Sequence, residues 1–134
     1  MQRRALITCA DHYVRADIIS WIGLELVCDV AVNGQETLDL IRYRMRSGER
    51  YGLIILDYSV SDIPGAELLA TIRRLEEELD TTWPHSARIM VLSDTEKVIV
   101  SAFFRGAEAC HIYPLNREKL VKQLTALEVE RVYQ

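Results

Sequence analysis

Several things are scarce in this chain of 134 residues, and each shortage removes a class of function. No apolar run approaches the roughly 20 residues that a helix needs to cross a bilayer. The apolar part of the start, "MQRRALITC", is too short for a secretory signal, so the expected location is the cytoplasm. Only three cysteines are present, Cys9, Cys28 and Cys110, an odd number without metal-type spacing. Neither a disulfide framework nor a zinc site is suggested. Basic residues are scattered, and 16 Lys and Arg against 20 Asp and Glu leave a formal net charge of −4. That balance offers no footprint for nucleic acid or for an anionic membrane. His12, His85 and His111 are spread without ligand spacing. No glycine-rich phosphate loop follows the first apolar run, and no G-x-S-x-G elbow occurs.

What is present is an alternation. With 49% apolar residues the chain can bury one core, and its length leaves no room for a second domain. "ALITC" (5 to 9) reads as a buried strand, and "VRADIISWIGLEL" (14 to 26) as a helix with Val14, Ile18, Ile19, Ile22 and Leu26 on one face. "VCDVAV" (27 to 32) alternates and suits a strand near a sheet edge. Asn33-Gly34 turns the chain into a helix carrying Leu38, Ile41 and Met45, which Gly48 ends. "GLIIL" (52 to 56) is the most apolar stretch, as expected of a central parallel strand covered on both faces. Asp57 is its first polar residue.

Pro64-Gly65 opens an amphipathic helix with Leu68, Ile72 and Leu75 inward, and "DTTWPHSA" (80 to 87), which contains Trp83, reads as a loop. "RIMVL" (88 to 92) is a fourth strand, "TEKVIVSAFFRG" (95 to 106) a helix ended by Gly106, and "ACHIY" (109 to 113) a fifth strand closed by Pro114. A final helix starts under the cap of Asn116. Five strands alternating with five helices predict an α/β fold with a doubly wound parallel sheet, because right-handed crossovers place helices on both faces. Function in such sheets gathers at the carboxyl ends of the strands, where Asp57 falls.

Four segments, in this order, resemble the bacterial response-regulator receiver domain: "AVNGQETLDLI", "LIILDYSVSDIPGAELLATIR", "RIMVLSD" and "FFRGAEACHIYPLNREKL". The resemblance runs from about Arg4 to Leu127. It implies a flavodoxin-like sheet with strand order 2-1-3-4-5. It also implies an aspartate that takes a phosphoryl group from a partner histidine kinase with the help of magnesium, a hard ion that prefers oxygen ligands. Phosphoryl transfer is mostly positioning and charge neutralisation, so the family supplies an acidic pair, the acceptor, a backbone carbonyl, a hydroxyl and a lysine.

Carried over position by position, Asp57 matches the acceptor, Ser59 the backbone carbonyl and Ser93 the hydroxyl. The acidic pair falls on Cys9 and Ala10, a soft thiol and a methyl group, with Asp11 the only acid close by. The lysine falls on Tyr113, and the aromatic three residues before it on Cys110. Bland readings stand beside these: a turn-bonding aspartate at Asp57, a cap at Asp11 and at Ser93, and at Tyr113 an aromatic that fills the lysine's volume with its hydroxyl in water.

The losses favour an atypical receiver, an interaction or dimerisation module with impaired magnesium-dependent phosphorylation. Its expected surface is the fourth helix, fifth strand and fifth helix, where Phe103, Phe104, His111 and Leu115 stand. No cofactor is expected, and a magnesium site built from Asp11, Asp57 and Ser59 is the weak alternative that would leave a phosphorylatable receiver. Partners are expected among signalling proteins, a histidine kinase or an output domain, with self-association as another route. An enzyme on a flavodoxin-like scaffold, using Cys9 or Asp57 as nucleophile, is the reading from another class. The last helix runs to "LTALEVERVYQ" without a linker, which leaves room for a longer protein around this single domain.

Overall fold

The computed structural model describes residues 4–23, 26–79 and 86–132. Residues 80–85 of the expected loop, with Trp83 and His85, lie outside the described residues. Five strands, β1 (Arg4–Thr8), β2 (Val27–Ala31), β3 (Leu53–Asp57), β4 (Arg88–Ser93) and β5 (Ala109–Ile112), form one parallel sheet in the order β2-β1-β3-β4-β5. They alternate with α1 (His12–Ile22), α2 (Gly34–Arg46), α3 (Gly65–Glu78), α4 (Ile99–Phe104) and α5 (Arg117–Val132). The expected doubly wound α/β fold is thus the observed one.

The apolar run of β3 explains its central place. Successive side chains of a strand point to opposite faces, and here Leu53 and Ile55 join the core under α1 and α5, while Ile54 and Leu56 join the core under α2, α3 and α4. A strand covered on both faces must be apolar at every position. The first core takes Ile18 and Ile22 from α1 and Leu120, Leu124 and Leu127 from α5. The second takes Leu38 and Ile41 from α2, Leu68, Leu69 and Ile72 from α3, and Ala102 from α4.

Caps set several boundaries away from where periodicity puts them. Asp11 accepts from the backbone N–H of Tyr13 (2.8 Å) and of Val14 (3.2 Å), so α1 starts at His12 rather than at Val14. The helix also stops at Ile22, and Leu26 belongs to the approach to β2. Asn33 caps α2 through the Glu36 N–H (2.9 Å), and Asn116 caps α5 through the Lys119 N–H (2.9 Å), the latter as expected. The stretch expected as one helix over 95–106 is a short 3-10 turn, Glu96–Val98, followed by α4. Thr95 caps that turn through the Lys97 N–H (3.2 Å).

Candidate functional site

Parallel pairing in register brings the carboxyl ends of the strands together, and Asp57, the last residue of β3, lies among them. Asp57 as a whole is only 6% exposed. A buried carboxylate needs partners for both oxygens, and here they come from three directions. From the end of β1, the Cys9 thiol donates to Oδ2 at 3.3 Å. From the exit of β5, the Tyr113 hydroxyl donates to the same oxygen at 2.9 Å. From the loop after β3, Ser59 donates its backbone N–H (2.8 Å) and its hydroxyl (2.7 Å) to Oδ1.

The backbone holds each donor in place. The Cys9 N–H donates to the Ala31 carbonyl (3.0 Å), and the Cys9 carbonyl accepts from the Arg15 guanidinium (2.6 Å). The Tyr113 N–H donates to the Ser93 carbonyl (2.8 Å), so β4 positions the residue whose ring crosses to β3. Tyr58, beside Asp57, donates its N–H to the Leu92 carbonyl (2.9 Å).

All four donors are neutral, and the environment keeps them so. Burial, followed by the nearby charge of Asp57, pushes the Cys9 thiol up to about 11, outweighing the Asp11 backbone contact that lowers it. Burial and then Asp57 raise the Tyr113 phenol well above its usual value of 10.0. Cys9, itself 1% exposed, is a protonated and shielded thiol at neutral pH, not a nucleophile.

No protein-family model matches the sequence, and no curated protein matches it. Solved structures do match. A CheY-like response-regulator receiver domain protein from Methanospirillum hungatei superposes with a TM-score of 0.79 at 19% identity, over 100% of both chains. The CheX-CheY-BeF3-Mg complex from Borrelia burgdorferi matches with 0.77 at 16% identity, over 93% of this chain and 88% of that one. The response regulator DrrB from Thermotoga maritima matches with 0.77 at 17% identity, over 98% of this chain and 54% of that one. The chain has the receiver-domain fold.

Within this receiver fold, the residues singled out from sequence separate into two groups. Cys9, Asp57, Ser59 and Tyr113 converge. Ser59 contributes an N–H and a hydroxyl, where only its carbonyl was expected to matter. Tyr113 is half-buried with its hydroxyl on Asp57, not in water, because the buried carboxylate needs a donor and the phenol supplies one at 2.9 Å. Ser93 is buried, but its hydroxyl both accepts from the Thr95 N–H (3.1 Å) and donates to the Thr95 carbonyl (3.1 Å), closing a turn. Ala10 is an exposed methyl group, and Asp11 is exposed with Oδ1 engaged in the cap of α1.

This donor set does not fit magnesium. That ion needs hard oxygen ligands in octahedral geometry, whereas the site presents a protonated thiol, a phenol and a carboxylate already accepting four hydrogen bonds. Among the described residues, no group of three or more His, Cys, Asp or Glu side chains is arranged to hold a metal ion.

On the expected surface, Phe103 and Phe104 are exposed, and Leu115 is half-buried against the core under α1 and α5. His111 corrects the expectation: it is fully buried. Its Nε2 accepts from the Asn116 N–H (3.2 Å), which leaves Nδ1 to donate to the Gln123 Oε1 (2.9 Å). It joins β5 to α5 and presents nothing outward. Cys110 is half-buried against the core under α3 and α4, and its carbonyl accepts from the Gln123 Nε2 (2.9 Å). Among the described residues, no helix is long and apolar enough to cross a membrane.

Proposed function

We propose that the chain is an atypical receiver domain of a two-component-type signalling system, one that works by presenting a surface to a signalling partner and not by magnesium-dependent phosphorylation of Asp57. The observation that carries this reading is the cage around the carboxylate: Tyr113 and Cys9 on Oδ2, Ser59 twice on Oδ1. A phosphoryl acceptor needs one carboxylate oxygen open to attack phosphorus, and cations to neutralise the charge that builds there. Here each oxygen accepts two hydrogen bonds, and the positions that would supply a metal ligand and a lysine carry Cys9, Ala10 and Tyr113. Its partners are a histidine kinase, an output domain or another signalling protein. The 134 residues form one domain, a module within a longer protein or a regulator by itself.

Incubation with a small acyl phosphodonor and magnesium, read by intact mass, tests the reading. The expected spectrum holds unmodified protein only. Stoichiometric addition of one phosphoryl group, lost in Asp57→Asn, overturns it in favour of a working phosphorylation switch.

A further inference from the structure

The loop that leaves β3 is fastened by an aspartate at each end. At its start, Asp57 Oδ1 accepts from the N–H and the hydroxyl of Ser59 (2.8 and 2.7 Å). At its far end the exposed Asp62 carboxylate reaches across to the first turn of α2, where Oδ1 accepts from the Gly34 N–H (2.8 Å) and Oδ2 from the Gln35 N–H (2.9 Å). Asn33 covers the Glu36 N–H, so the first three N–H groups of that helix are all paired only while Asp62 is in place. A negative charge is favourable at a helix start, and those N–H groups, Gly34 foremost, hold the Asp62 carboxyl below its ordinary value of 3.8. The Ile63 N–H, also on Oδ1 (2.9 Å), fixes the carboxylate to its own loop.

Between these ends, Val60 is 6% exposed in the core under α2, α3 and α4, and Ile63 lies so close to α2 that a Cβ on Gly34 would stand 3.0 Å from its side chain. Glycine at that position admits the loop. Val60 stands between Ser59 and Asp62, so lifting either end draws on the same buried side chain, and the two ends move together. Beyond them the backbone is anchored: the Tyr58 N–H donates to the Leu92 carbonyl (2.9 Å) before the loop, and the Leu68 N–H to the Pro64 carbonyl (2.9 Å) after it. Residues 59–63 themselves form neither helix nor strand, and the Val60 N–H reaches the Asp57 carbonyl only at 3.4 Å. A segment tied by side chains, outside any ladder of backbone hydrogen bonds, opens more readily than the sheet beneath it.

We propose that residues 59–63 are a strap that closes over Asp57 and opens as one piece, with Asp62 on the start of α2 as its latch. Opening takes both donors from Asp57 Oδ1 and leaves Cys9 and Tyr113 on Oδ2. Access to the carboxylate is thereby set at α2, outside the cage itself, and whatever engages Asp62 or the first turn of α2 shifts it. The proposal deepens the reading of Asp57 as a closed-off carboxylate and rests on it for that premise.

Amide hydrogen exchange of the intact protein, followed residue by residue by NMR at several low urea concentrations, tests it. The N–H groups of Ser59, Gly34 and Gln35 are expected to exchange through one common opening with a shallow urea dependence, ahead of the Ile55 N–H in the central strand, which waits for global unfolding. Asp62→Ala, at an exposed position, is expected to speed exchange of the Ser59 N–H by roughly tenfold. Coupling between two sites is reciprocal, so Ser59→Ala is expected to speed exchange at Gly34 and Gln35. Neither substitution adjoins the amides on which it is read. A Ser59 N–H as well protected as Ile55, with the same urea dependence, overturns the proposal. So does a Ser59 N–H indifferent to Asp62→Ala, or a pair at Gly34 and Gln35 indifferent to Ser59→Ala, because the two ends then open separately. The phosphodonor measurement is independent: uncoupled ends in a protein that takes no phosphoryl group remove the strap and leave the atypical-receiver reading standing, while coupled ends in a protein that takes one do the reverse.

Discussion

The Tyr113 hydroxyl donates to Asp57 Oδ2 at 2.9 Å, which ties the exit of β5 to the end of β3 across the intervening strand β4. A hydrogen bond to a buried carboxylate contributes more than one between neutral groups, on the order of 1.5–3 kcal/mol. Tyr113→Phe keeps the ring and removes only the donor. The expected loss of stability is about 1–2 kcal/mol, since the Cys9 thiol still reaches Oδ2, and it is read as a lower urea midpoint at unchanged slope. Unchanged stability would mean that the hydroxyl does not hold the strand ends together.

Alkaline pH attacks the same cage. The folded protein holds the Cys9 proton up to about pH 11, against an ordinary value of 9.0, and the Tyr113 proton above its ordinary 10.0. In the unfolded chain both groups release protons near their ordinary values. From pH 9 upward the folded state therefore binds more protons than the unfolded one, and stability falls as pH rises. Below pH 9 the contribution is fully present. Cys28, Tyr51, Tyr58 and Cys110 are all raised chiefly by burial and act in the same direction. Urea titrations from neutral pH to about pH 11 check this, and Cys9→Ala is expected to flatten part of the slope. Stability independent of pH over that window would remove the cage as its source.

A second buried network secures the opposite end of the sheet. The Arg73 guanidinium donates to Glu76 (2.7 Å), to the Ala87 carbonyl (2.8 Å), to the Gly106 carbonyl (2.6 Å) and to Glu108 (3.0 Å). Glu76, 4% exposed, also accepts from the Ala87 N–H at 2.7 Å. Gly106 sits at φ +108°, where an added Cβ would come within 2.9 Å of the Arg73 side chain, so the turn after α4 fits the guanidinium closely. Arg73→Ala takes the guanidinium away from buried Glu76 and from the Ala87 and Gly106 carbonyls together, and the expected loss is about 3–5 kcal/mol. Calorimetry reads it as a large drop in melting temperature. A loss under about 1 kcal/mol would place this network among surface pairs of little weight.

The fold was legible because it is written in periodicity. "GLIIL" is apolar at every position and is the strand covered on both faces, and Leu68 and Ile72 sit where the inward stripe of α3 places them. Boundaries were less legible, since a side chain that caps a helix, as Asp11 does, overrides the hydrophobic pattern at its first turn. In the site, the residues were legible and their contacts were not. Tyr113 and Cys9 were identified as positions, but a hydrogen bond between residues 56 apart in the chain depends on strand order and ring direction. The outward expectation for His111 failed for a similar reason: along β5 it shares the face of Ala109, and that face lies under α5. Arg73, whose partners lie up to 35 residues away, left a single local signal, its i,i+3 spacing to Glu76.

Tyr58 gives the last prediction. Among the described residues its hydroxyl is buried without a hydrogen-bond partner, and its ring lies so close to the start of α3 that a Cβ on Gly65 would meet it at 2.6 Å. A buried hydroxyl without a partner is unfavourable by about 1–3 kcal/mol, so Tyr58→Phe is expected to leave stability unchanged or to raise it. Gly65→Ala is expected to lower it by about 1–3 kcal/mol through overpacking, although alanine is the better helix former. Pairing Gly65→Ala with Tyr58→Ala removes the ring from the clash and leaves only the Tyr58 Cα, which the added Cβ meets at 2.9 Å, so the double variant is expected to lose somewhat less than the two single losses added together. Urea midpoints for the four variants measure this. Additive losses would show that the ring is free to move away from α3, whereas a positive coupling would establish that the residue after Asp57 is wedged between the site and that helix.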